Sequence, residues 1–262
     1  MTKSAAEFDR WYADRIESPL ADELVRRMLG LPPGLQSTSL LSGAGLDEVV
    51  TALGLRAGQV LLDLACGRGG YGLEIARRSG CRLVGLDFSA VAIEHAQRQA
   101  QARGLADRAD FRVGELTRTG LSTASVDAVL IVDSIQFAEP KLDALRECRR
   151  ALLPGGRIVV TCWEARDATD ERLSPKLRQV DLRRQLSRAG FVNVEVTDKP
   201  AWRLAEQALW EKALTIDAGG DLAMQSMQEE ANRVLAAFDG LRRVLATASG
   251  PPAAEMTVRS SA

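Results

Sequence analysis

Two acidic residues and three glycines lie close together in the first half of the chain. Asp63 lies inside the apolar run LLDLA, and Gly67, Gly69 and Gly72 then fit the pattern G-x-G-x-x-G. A strand that runs into a glycine turn and then a helix gathers backbone N–H groups at a helix N-terminus. Asp87, at the end of the next apolar run, stands where a carboxylate accepts hydrogen bonds from ribose hydroxyls. The pattern therefore predicts a nucleoside cofactor.

The position of Asp63 bears on which cofactor this is. In a dinucleotide fold the first glycine follows the strand directly, and the pyrophosphate lies on the helix end. A carboxylate inside the strand suits a ligand that carries an ammonium group and is a poor companion for a pyrophosphate. The alternative is that Asp63 only caps the local turn. Asp87 is expected with both classes of cofactor, so it does not separate them.

Composition and charge argue against several functions. The 262 residues carry 34 Lys+Arg against 35 Asp+Glu, so no net field draws the chain to nucleic acid or anionic lipid. Arginine pairs such as Arg242-Arg243 are interpreted as solvated faces. Four cysteines without C-x-x-C spacing and a single histidine argue against a metal site. With no apolar leader or membrane-spanning stretch, we expect a cytoplasmic protein that acts on a small molecule, with no metal, nucleic acid or membrane partner.

Strands and helices alternate around the acidic residues. Near-continuous Val, Ile and Leu runs are typical of strands buried on both faces, as in a parallel sheet flanked by helices. The predicted strands are 59–65, 82–88, 109–115, 126–134, 156–164 and 192–198, and the predicted helices between them are 71–79, 89–103, 140–152 and 180–191.

The two ends of the chain are expected to cover this core. Helical spacing predicts helices over 5–30 and about 44–53, and again over 201–238. For 242–249 we favour a strand over further helix. The chain then divides into an N-terminal helical cap (1–54), a cofactor-binding core (55–200), a helical lid insertion (201–238) and a last strand with a loose tail (239–262).

Several stretches together carry a family resemblance. LLDLACGRGGYG, GLDFS, VGE, VDAVLIVDS and LLPGGR occur in the order and spacing found in class I S-adenosylmethionine-dependent methyltransferases, over about residues 45–200. The sequence resembles the small-molecule branch that includes ubiquinone/menaquinone-type and natural-product enzymes. The resemblance implies an α/β fold with a seven-stranded Rossmann-like sheet in the order 3-2-1-4-5-7-6, strand 7 antiparallel, helices on both faces and a helical lid. It implies S-adenosyl-L-methionine as cofactor and S-adenosyl-L-homocysteine as its product.

The resemblance also assigns roles around the glycine turn. Asp63 and the backbone at Ala65, Gly67 and Gly69 are expected to hold the methionine group of the cofactor, and Asp87 is expected to hold the ribose.

The remaining cofactor contacts implied by the resemblance come from later strand ends. Phe88 is expected to pack on the adenine, Glu115 to accept from the adenine amino group, and the Leu116 amide to lie near the ring edge. Asp133 and Ser134 are expected to line the methionine side.

The catalytic residues are less clearly indicated. Methyl transfer is an in-line displacement in which positioning of the nucleophile supplies much of the rate. Many relatives have a histidine just after the fourth strand, where this chain has Gln136, which can orient an acceptor but takes no proton. Tyr12 is a second candidate for acceptor orientation, and Tyr12, Tyr71 and Glu139 are the candidate bases. His95 is predicted at the surface. An already nucleophilic acceptor, such as an amine, a phenolate or a stabilised carbanion, is favoured.

Three functions remain open at this point. The first is a small-molecule methyltransferase (EC 2.1.1.-), whose acceptor is roofed by aromatic residues such as Trp11, Trp163, Trp202 and Trp210. The second is a protein that binds S-adenosylmethionine without methylating, either a cyclase-like enzyme or a binding module. The third is an NAD(P)-dependent oxidoreductase. A homodimer is left open.

Overall fold

The sheet has the predicted strand order. The computed structural model of the protein describes residues 5–253. Strands β3-β2-β1-β4-β5-β7-β6 lie side by side in that order. β7 is antiparallel to both of its neighbours, and the other adjacent pairs are parallel. The strands are β1 (Val60–Leu64), β2 (Arg82–Asp87), β3 (Ala109–Val113), β4 (Val126–Val132), β5 (Leu152–Ala165), β6 (Val192–Asp198) and β7 (Leu241–Ser249). The prediction of a strand rather than a helix over 242–249 is confirmed.

Helices cover both faces of the sheet. They are α1 (Ala5–Glu17), α2 (Pro19–Met28), α3 (Gly43–Leu53), α4 (Gly70–Ser79), α5 (Ala90–Ala102), α6 (Lys141–Ala151), α7 (Pro175–Arg178), α8 (Leu182–Arg188), α9 (Pro200–Ala213) and α10 (Leu222–Leu235). The first core layer joins one face of the sheet to α2, α3, α4, α5, α9 and α10. The second joins the other face to α6 and α8. In the part of the chain from 5 to 253, no helix is both long and apolar enough to cross a bilayer.

The parallel strands end at one edge of the sheet. Val132, the last residue of β4, pairs with Thr161 of β5, and Trp163 two residues further on pairs with Arg243 of β7. The turn after β1 and the segment after β4 therefore lie at the same edge, which we call the carboxyl edge. Ligands of open α/β sheets bind at this edge because the connecting loops converge there.

Two predicted helices are each broken into two. The segment 5–30 forms α1 and α2 because Ser18 is extended, with its side-chain oxygen accepting from the Ala21 amide, and Pro19 begins the second helix. A residue before proline is disfavoured in a helix, so this break was readable from the Ser-Pro pair. The segment 201–238 is interrupted at Gly219 and Gly220, both with positive φ. The end of the predicted loose tail, 254–262, lies outside the described residues.

The prediction that His95 lies at the surface is wrong. The residue is on α5, and the loop after α2 covers it, leaving 8% of the residue exposed. Its Nε2 lies 2.8 Å from Oε1 of Gln36. Arg103, near the end of the same helix, donates to the carbonyl of Gly34. The expectation assumed that nothing lies outside the helix after the second strand, whereas the N-terminal segment folds over it.

Candidate active site at the carboxyl edge

The turn after β1 has the backbone form that its glycines predict. Gly67 and Gly69 have φ values of +53° and +79°, and Gly69 caps the N-terminus of α4. Glycine adopts this left-handed region without steric cost. Ala65 also lies there, with φ of +60°, although it carries a Cβ. Strained backbone of this kind in a non-glycine residue concentrates at ligand sites.

Asp63 reaches from β1 to the start of α4. It is 3% exposed, and a Cβ on Gly72 would lie 2.5 Å from its Oδ2, so the third glycine of the motif leaves room for this carboxylate. Burial first, and then the charge on Asp87, raise the pKa of Asp63 to about 7, although a hydrogen bond from the Gly72 backbone opposes the rise. Asp63 is thus a buried acid beside a second acid, and it would be stabilised in its charged form by a cation.

Asp87 is fixed at the end of β2 by backbone amides. Its Oδ2 accepts from the Gly67 amide at 2.9 Å and its Oδ1 from the Ser89 amide at 2.9 Å. Burial raises the pKa of Asp87, and these backbone hydrogen bonds oppose the rise. Each carboxylate oxygen keeps a further lone pair. The side chain therefore connects the glycine turn to the start of α5 and retains acceptor capacity for a pair of hydroxyl groups.

The residues expected around the adenine lie on the open side of this turn. Phe88 is 37% exposed, and its ring packs edge-on against Phe8 of α1 with centroids 5.0 Å apart. Glu115 is exposed, and its backbone forms an isolated antiparallel β-bridge with that of Arg118. Leu116 is half-buried. An aromatic face and a nearby free carboxylate are the groups that a purine with an exocyclic amine requires.

Asp133 lies at the carboxyl edge, but its carboxylate is held by the protein. Arg243 of β7 donates to both of its oxygens, and Thr161 Oγ1 donates to Oδ1 at 2.8 Å. Its φ is +53°. Any contact of Asp133 with a cofactor would therefore come from its backbone. Ser134 beside it is buried, and its Oγ has no hydrogen-bond partner.

Arg243 corrects the interpretation of the Arg242-Arg243 pair as a solvated face. Arg243 is 0% exposed, and its Nε lies 3.3 Å from Oε2 of Glu206 on α9. Burial lowers the pKa of Arg243, but Asp133 and Glu206 outweigh that effect and keep the pKa above its ordinary value. Only Arg242 points toward solvent, where it pairs with Glu164. We call Asp133, Glu206 and Arg243 the edge cluster.

The candidate catalytic residues are engaged in internal contacts. Gln136 donates from Nε2 to the Asp133 carbonyl at 2.7 Å and accepts at Oε1 from the Cys162 thiol at 3.3 Å. Burial raises the pKa of Tyr12 far above its usual range, and Asp87 adds to the rise. Burial also raises the pKa of Tyr71, whose hydroxyl donates toward the Leu41 carbonyl at 2.8 Å. Neither tyrosine is therefore suited to act as a base near neutral pH.

The N-terminal layer closes over the glycine turn. A Cβ on Gly67 would lie 3.0 Å from the Tyr12 hydroxyl and 3.3 Å from Thr38 Oγ1. Asp9 of α1 accepts from the Ser89 hydroxyl, and Phe8 covers Phe88. Tyr12 thus lies beside the glycine turn, as a candidate for acceptor orientation requires.

A second buried ionic group joins this layer to the turn. Arg68, which lies between two glycines of the motif, donates to both oxygens of Asp22 on α2, at 2.8 and 2.6 Å. Arg15 of α1 lies 3.5 Å from the same carboxylate. We call Arg15, Asp22 and Arg68 the cover cluster. Sequence reasoning missed it because the x position of a glycine motif carries no expectation of a buried partner.

The tryptophans expected to roof the acceptor make hydrogen bonds within the protein. Nε1 of Trp163 and of Trp210 both donate to Oε1 of Glu206, at 3.1 and 3.3 Å. Nε1 of Trp202 donates to Glu48 on α3 at 2.9 Å. Trp163 and Trp210 therefore border the edge cluster, whereas the hydrogen bond of Trp202 connects α9 to α3.

Comparison with known proteins agrees with this geometry. Residues 61–156 match the family model of the methyltransferase domain. They contain the glycine turn, Asp63, Asp87 and the residues after β4. The predicted resemblance to class I S-adenosylmethionine-dependent methyltransferases is confirmed over this segment.

The curated relatives match over part of their length. Sterol 24-C-methyltransferase of Saccharomyces cerevisiae is 33% identical over 128 residues, which are 48% of this chain and 33% of that protein. Methyltransferase GfsG of Streptomyces halstedii is 28% identical over 160 residues, 58% of either chain. The chain thus spans from a third to less than two thirds of these relatives.

Solved structures share the fold over most of the chain. The [4+2]-cyclase SpnF has a TM-score of 0.71 at 22% identity and covers 96% of this chain and 98% of its own. Geranyl diphosphate C-methyltransferase of Streptomyces coelicolor A3(2) has a TM-score of 0.67 at 20% identity, covering 89% and 98%. The predicted seven-stranded methyltransferase fold is confirmed.

Proposed function

We propose that this protein binds S-adenosyl-L-methionine at the glycine turn and transfers its methyl group to a small molecule. The observation that carries the proposal is the pair of buried acids, Asp63 and Asp87, on either side of that turn. Asp87 is the second-largest cause of the raised pKa of Asp63. A ligand that brings an ammonium group would relieve this repulsion, whereas a pyrophosphate would add to it. The pair therefore favours an amino-acid-bearing cofactor over NAD(P).

Each part of such a cofactor has a group of the chain to hold it. Asp63 would take the ammonium group and the backbone at Ala65, Gly67 and Gly69 the carboxylate, with Asp87 on the ribose. Phe88 would pack on the adenine, with Glu115 and the Leu116 amide at its edge, and Ser134 with the Asp133 backbone would border the methionine chain. When bound, the cofactor supplies a methyl group activated by a sulfonium. The chain's part is to hold the acceptor in line and to exclude water.

The acceptor side supports a small-molecule substrate of natural-product type. Among the described residues, the carboxyl edge is enclosed by α1, α9 and the loop after α2, and it is bordered by Trp163 and Trp210. Such an enclosed aromatic site suits a compact, largely apolar molecule. The proteins named above include a sterol methyltransferase and a geranyl diphosphate methyltransferase, and both acceptors have an apolar hydrocarbon frame, to which geranyl diphosphate adds a charged diphosphate. We propose the cytoplasm as the place of action.

A second candidate function is cyclisation without methyl transfer. It is favoured by the match to a [4+2]-cyclase over nearly the whole of both chains. The internally engaged Gln136 also leaves no base at the position after β4 where a methyltransferase would carry one. In that reading the cofactor binds but stays intact.

Calorimetric titration tests the proposal. We expect S-adenosylmethionine and S-adenosylhomocysteine to bind to the purified protein at micromolar Kd, corresponding to about −8 kcal/mol, and NADPH not to bind. Asp87→Ala should lose this binding, whereas Asp110→Ala, an exposed aspartate on β3, should keep it. Binding of NADPH instead, or of none of the three, would refute the proposal. Appearance of S-adenosylhomocysteine with an acceptor separates methyl transfer from cyclisation.

A further inference from the structure

Two facing polar atoms of the edge cluster have no hydrogen-bond partner. They are Oε2 of Glu206 and Nε of Arg243, on residues that are 3% and 0% exposed. Buried polar atoms are nearly always hydrogen-bonded, because leaving one unpaired costs about 1–3 kcal/mol. The unpartnered atoms of the cover cluster, on Arg15 and Arg68, are all donors. The edge cluster instead has an acceptor and a donor side by side, which a group that both accepts and donates would complete.

Glu206 is held in one orientation by its neighbours. Its Oε1 accepts from the two indoles, Trp163 Nε1 at 3.1 Å and Trp210 Nε1 at 3.3 Å. That arrangement leaves Oε2 directed toward Arg243, with Nε 3.3 Å away but not aligned for a hydrogen bond. The carboxyl group thus has one fully engaged oxygen and one available oxygen.

The charges of the edge cluster make that available oxygen a proton acceptor of intermediate strength. Two carboxylates, Asp133 and Glu206, share one guanidinium, Arg243, which already donates to both oxygens of Asp133. The pKa of Glu206 is raised to about 8, chiefly by burial and also by Asp133, while Arg243, Trp210 and Trp163 oppose the rise. Cys162 faces the same guanidinium as a buried neutral thiol. A carboxyl group whose pKa lies near neutrality is well matched to proton transfer at physiological pH.

We propose that Glu206 and Arg243 form the subsite for a hydroxyl group of the acceptor, and that Oε2 of Glu206 accepts the proton of that hydroxyl. A hydroxyl that accepts from Nε and donates to Oε2 uses both unpartnered atoms and keeps one lone pair for the methyl carbon. An ammonium group has no lone pair with which to accept from Nε, and a carboxylate has no proton to donate to Oε2. The subsite rests on the proposed methyltransferase function and identifies its acceptor class.

The reaction at this subsite balances without a further reactant. The hydroxyl oxygen forms a bond to the methyl carbon as the carbon–sulfur bond breaks and its electron pair stays on sulfur, and the hydroxyl proton passes to ionised Glu206. The expected acceptor is an alcohol, enol or phenol on an apolar frame, since Trp163 and the Phe238 ring, 5.2 Å from it, border the cluster.

Glu206→Gln isolates the proton acceptor. The two indole N–H groups require an oxygen at the Oε1 position, so the amide nitrogen of glutamine is placed where Oε2 was and cannot accept the proton. The matched control is Glu164→Gln on β5. Glu164 is 4% exposed, and it accepts from the Leu182 amide at 2.8 Å and from Arg242 at 2.6 Å, so it is as buried as Glu206 but fully engaged.

Two measurements on the full chain saturated with S-adenosylhomocysteine test the subsite. Tryptophan fluorescence should titrate with a midpoint near pH 8, because two indoles bond to Glu206, and only Glu206→Gln should lose that transition. Calorimetry should show β-naphthol binding about tenfold more tightly than its methyl ether to the wild type and Glu164→Gln, a difference of about 1.4 kcal/mol. Glu206→Gln should bind the two probes equally.

The outcomes separate this subsite from the proposed function. A tenfold preference for β-naphthol that survives in Glu206→Gln, or its absence in the wild type, overturns the subsite while cofactor binding stands. A fluorescence transition that persists in Glu206→Gln overturns the role of Glu206 as proton acceptor. Failure of the proposed function would appear earlier, as a protein that does not bind S-adenosylhomocysteine at all.

Discussion

The cover cluster and the edge cluster use the same side chains in opposite proportion. In the cover cluster two buried arginines, Arg15 and Arg68, share one carboxylate, Asp22. In the edge cluster two carboxylates share one arginine, Arg243. Both clusters join a covering helix to the segment 61–156 beside the carboxyl edge.

The difference assigns different tasks to the two clusters. Arginine keeps its charge near neutral pH, so an excess of guanidinium groups cannot be relieved by proton loss. The cover cluster therefore has a fixed charge and serves to hold α1 and α2 against the glycine turn. An excess of carboxylates is relieved when one of them takes up a proton. Glu206 is the group that does so, and the edge cluster therefore changes its charge near neutral pH. Only that cluster is equipped to move a proton.

The largest expected effect comes from removing the single cation of the edge cluster. Arg243→Met leaves Asp133 buried without its bidentate partner. It also removes the cation beside Glu206, which can then lose its negative charge only by taking up a proton. Removing one partner of a buried ion pair costs about 3–5 kcal/mol. We expect the free energy of unfolding, measured with urea, to fall by this amount.

The adjacent arginine is the control for that measurement. Arg242 is 40% exposed at its side chain, and the buried Glu164 with which it pairs keeps its hydrogen bond from the Leu182 amide, so Arg242→Met should cost about 1–2 kcal/mol, less than Arg243→Met. Equal losses in Arg242→Met and Arg243→Met would mean that the ion pair with Asp133 contributes little and that the two clusters do not differ as described.

A smaller effect is expected in the cover cluster. Arg68→Met removes two charge-assisted hydrogen bonds from Asp22, but Arg15 remains as a charged neighbour of that carboxylate. We expect a loss of about 1.5–3 kcal/mol in the same urea experiment. A loss larger than that of Arg243→Met would show that the second arginine does not compensate, and the contrast in charge balance would fail.

The two clusters also differ from the glycine turn in how far sequence predicts them. Asp63, Gly67 and Gly69 lie close together in the sequence. The positive φ angles at Gly67 and Gly69 favour glycine at those positions, and the close approach of Asp63 favours glycine at position 72. The strands were predictable for a similar reason, since each strand and its following helix carry their own pattern, whereas the order of the strands in the sheet was implied by the family resemblance. Local requirements of this kind leave a local signature.

The edge cluster leaves no such signature. In the sequence, Glu206 resembles any charged position of an amphipathic helix. Arg243 is half of an arginine pair in a strand whose polar and apolar residues do not alternate regularly. Arg243 meets Asp133, 110 residues earlier, only because β7 inserts antiparallel beside β5 and brings Arg243 opposite Trp163. The burial of His95 was missed for the same reason, because it depends on a loop that begins far from α5 in sequence.

The pH dependence of stability sharpens the comparison further. The folded pKa of Glu206 is about 8 against 4.5 for the free side chain, so between these values the folded protein holds a proton that the unfolded chain has lost. This contribution is complete below about pH 4.5 and is lost as the pH rises toward 8. The free energy of unfolding of the wild type relative to Glu206→Gln should therefore fall with pH by up to about 1.4 kcal/mol per unit. A difference that stays constant from pH 5 to pH 8 would contradict it.

The smallest expected effect has the opposite sign and belongs to the cover side. His95 is the single histidine of the chain, and its folded pKa is lowered from 6.5 to about 4 by burial first and then by Arg68 and Arg98. Between these values the unfolded chain binds a proton that the folded protein excludes, so this contribution to stability is absent below about pH 4 and grows until about pH 6.5. The wild type relative to His95→Gln should gain stability with rising pH over that range, by less than about 1.4 kcal/mol per unit, since part of the ring remains near solvent. Urea unfolding of both proteins at a series of pH values measures it. If the difference instead fell with pH, a negative group would have to dominate the surroundings of His95, and the excess of positive charge assigned to the cover side would be wrong.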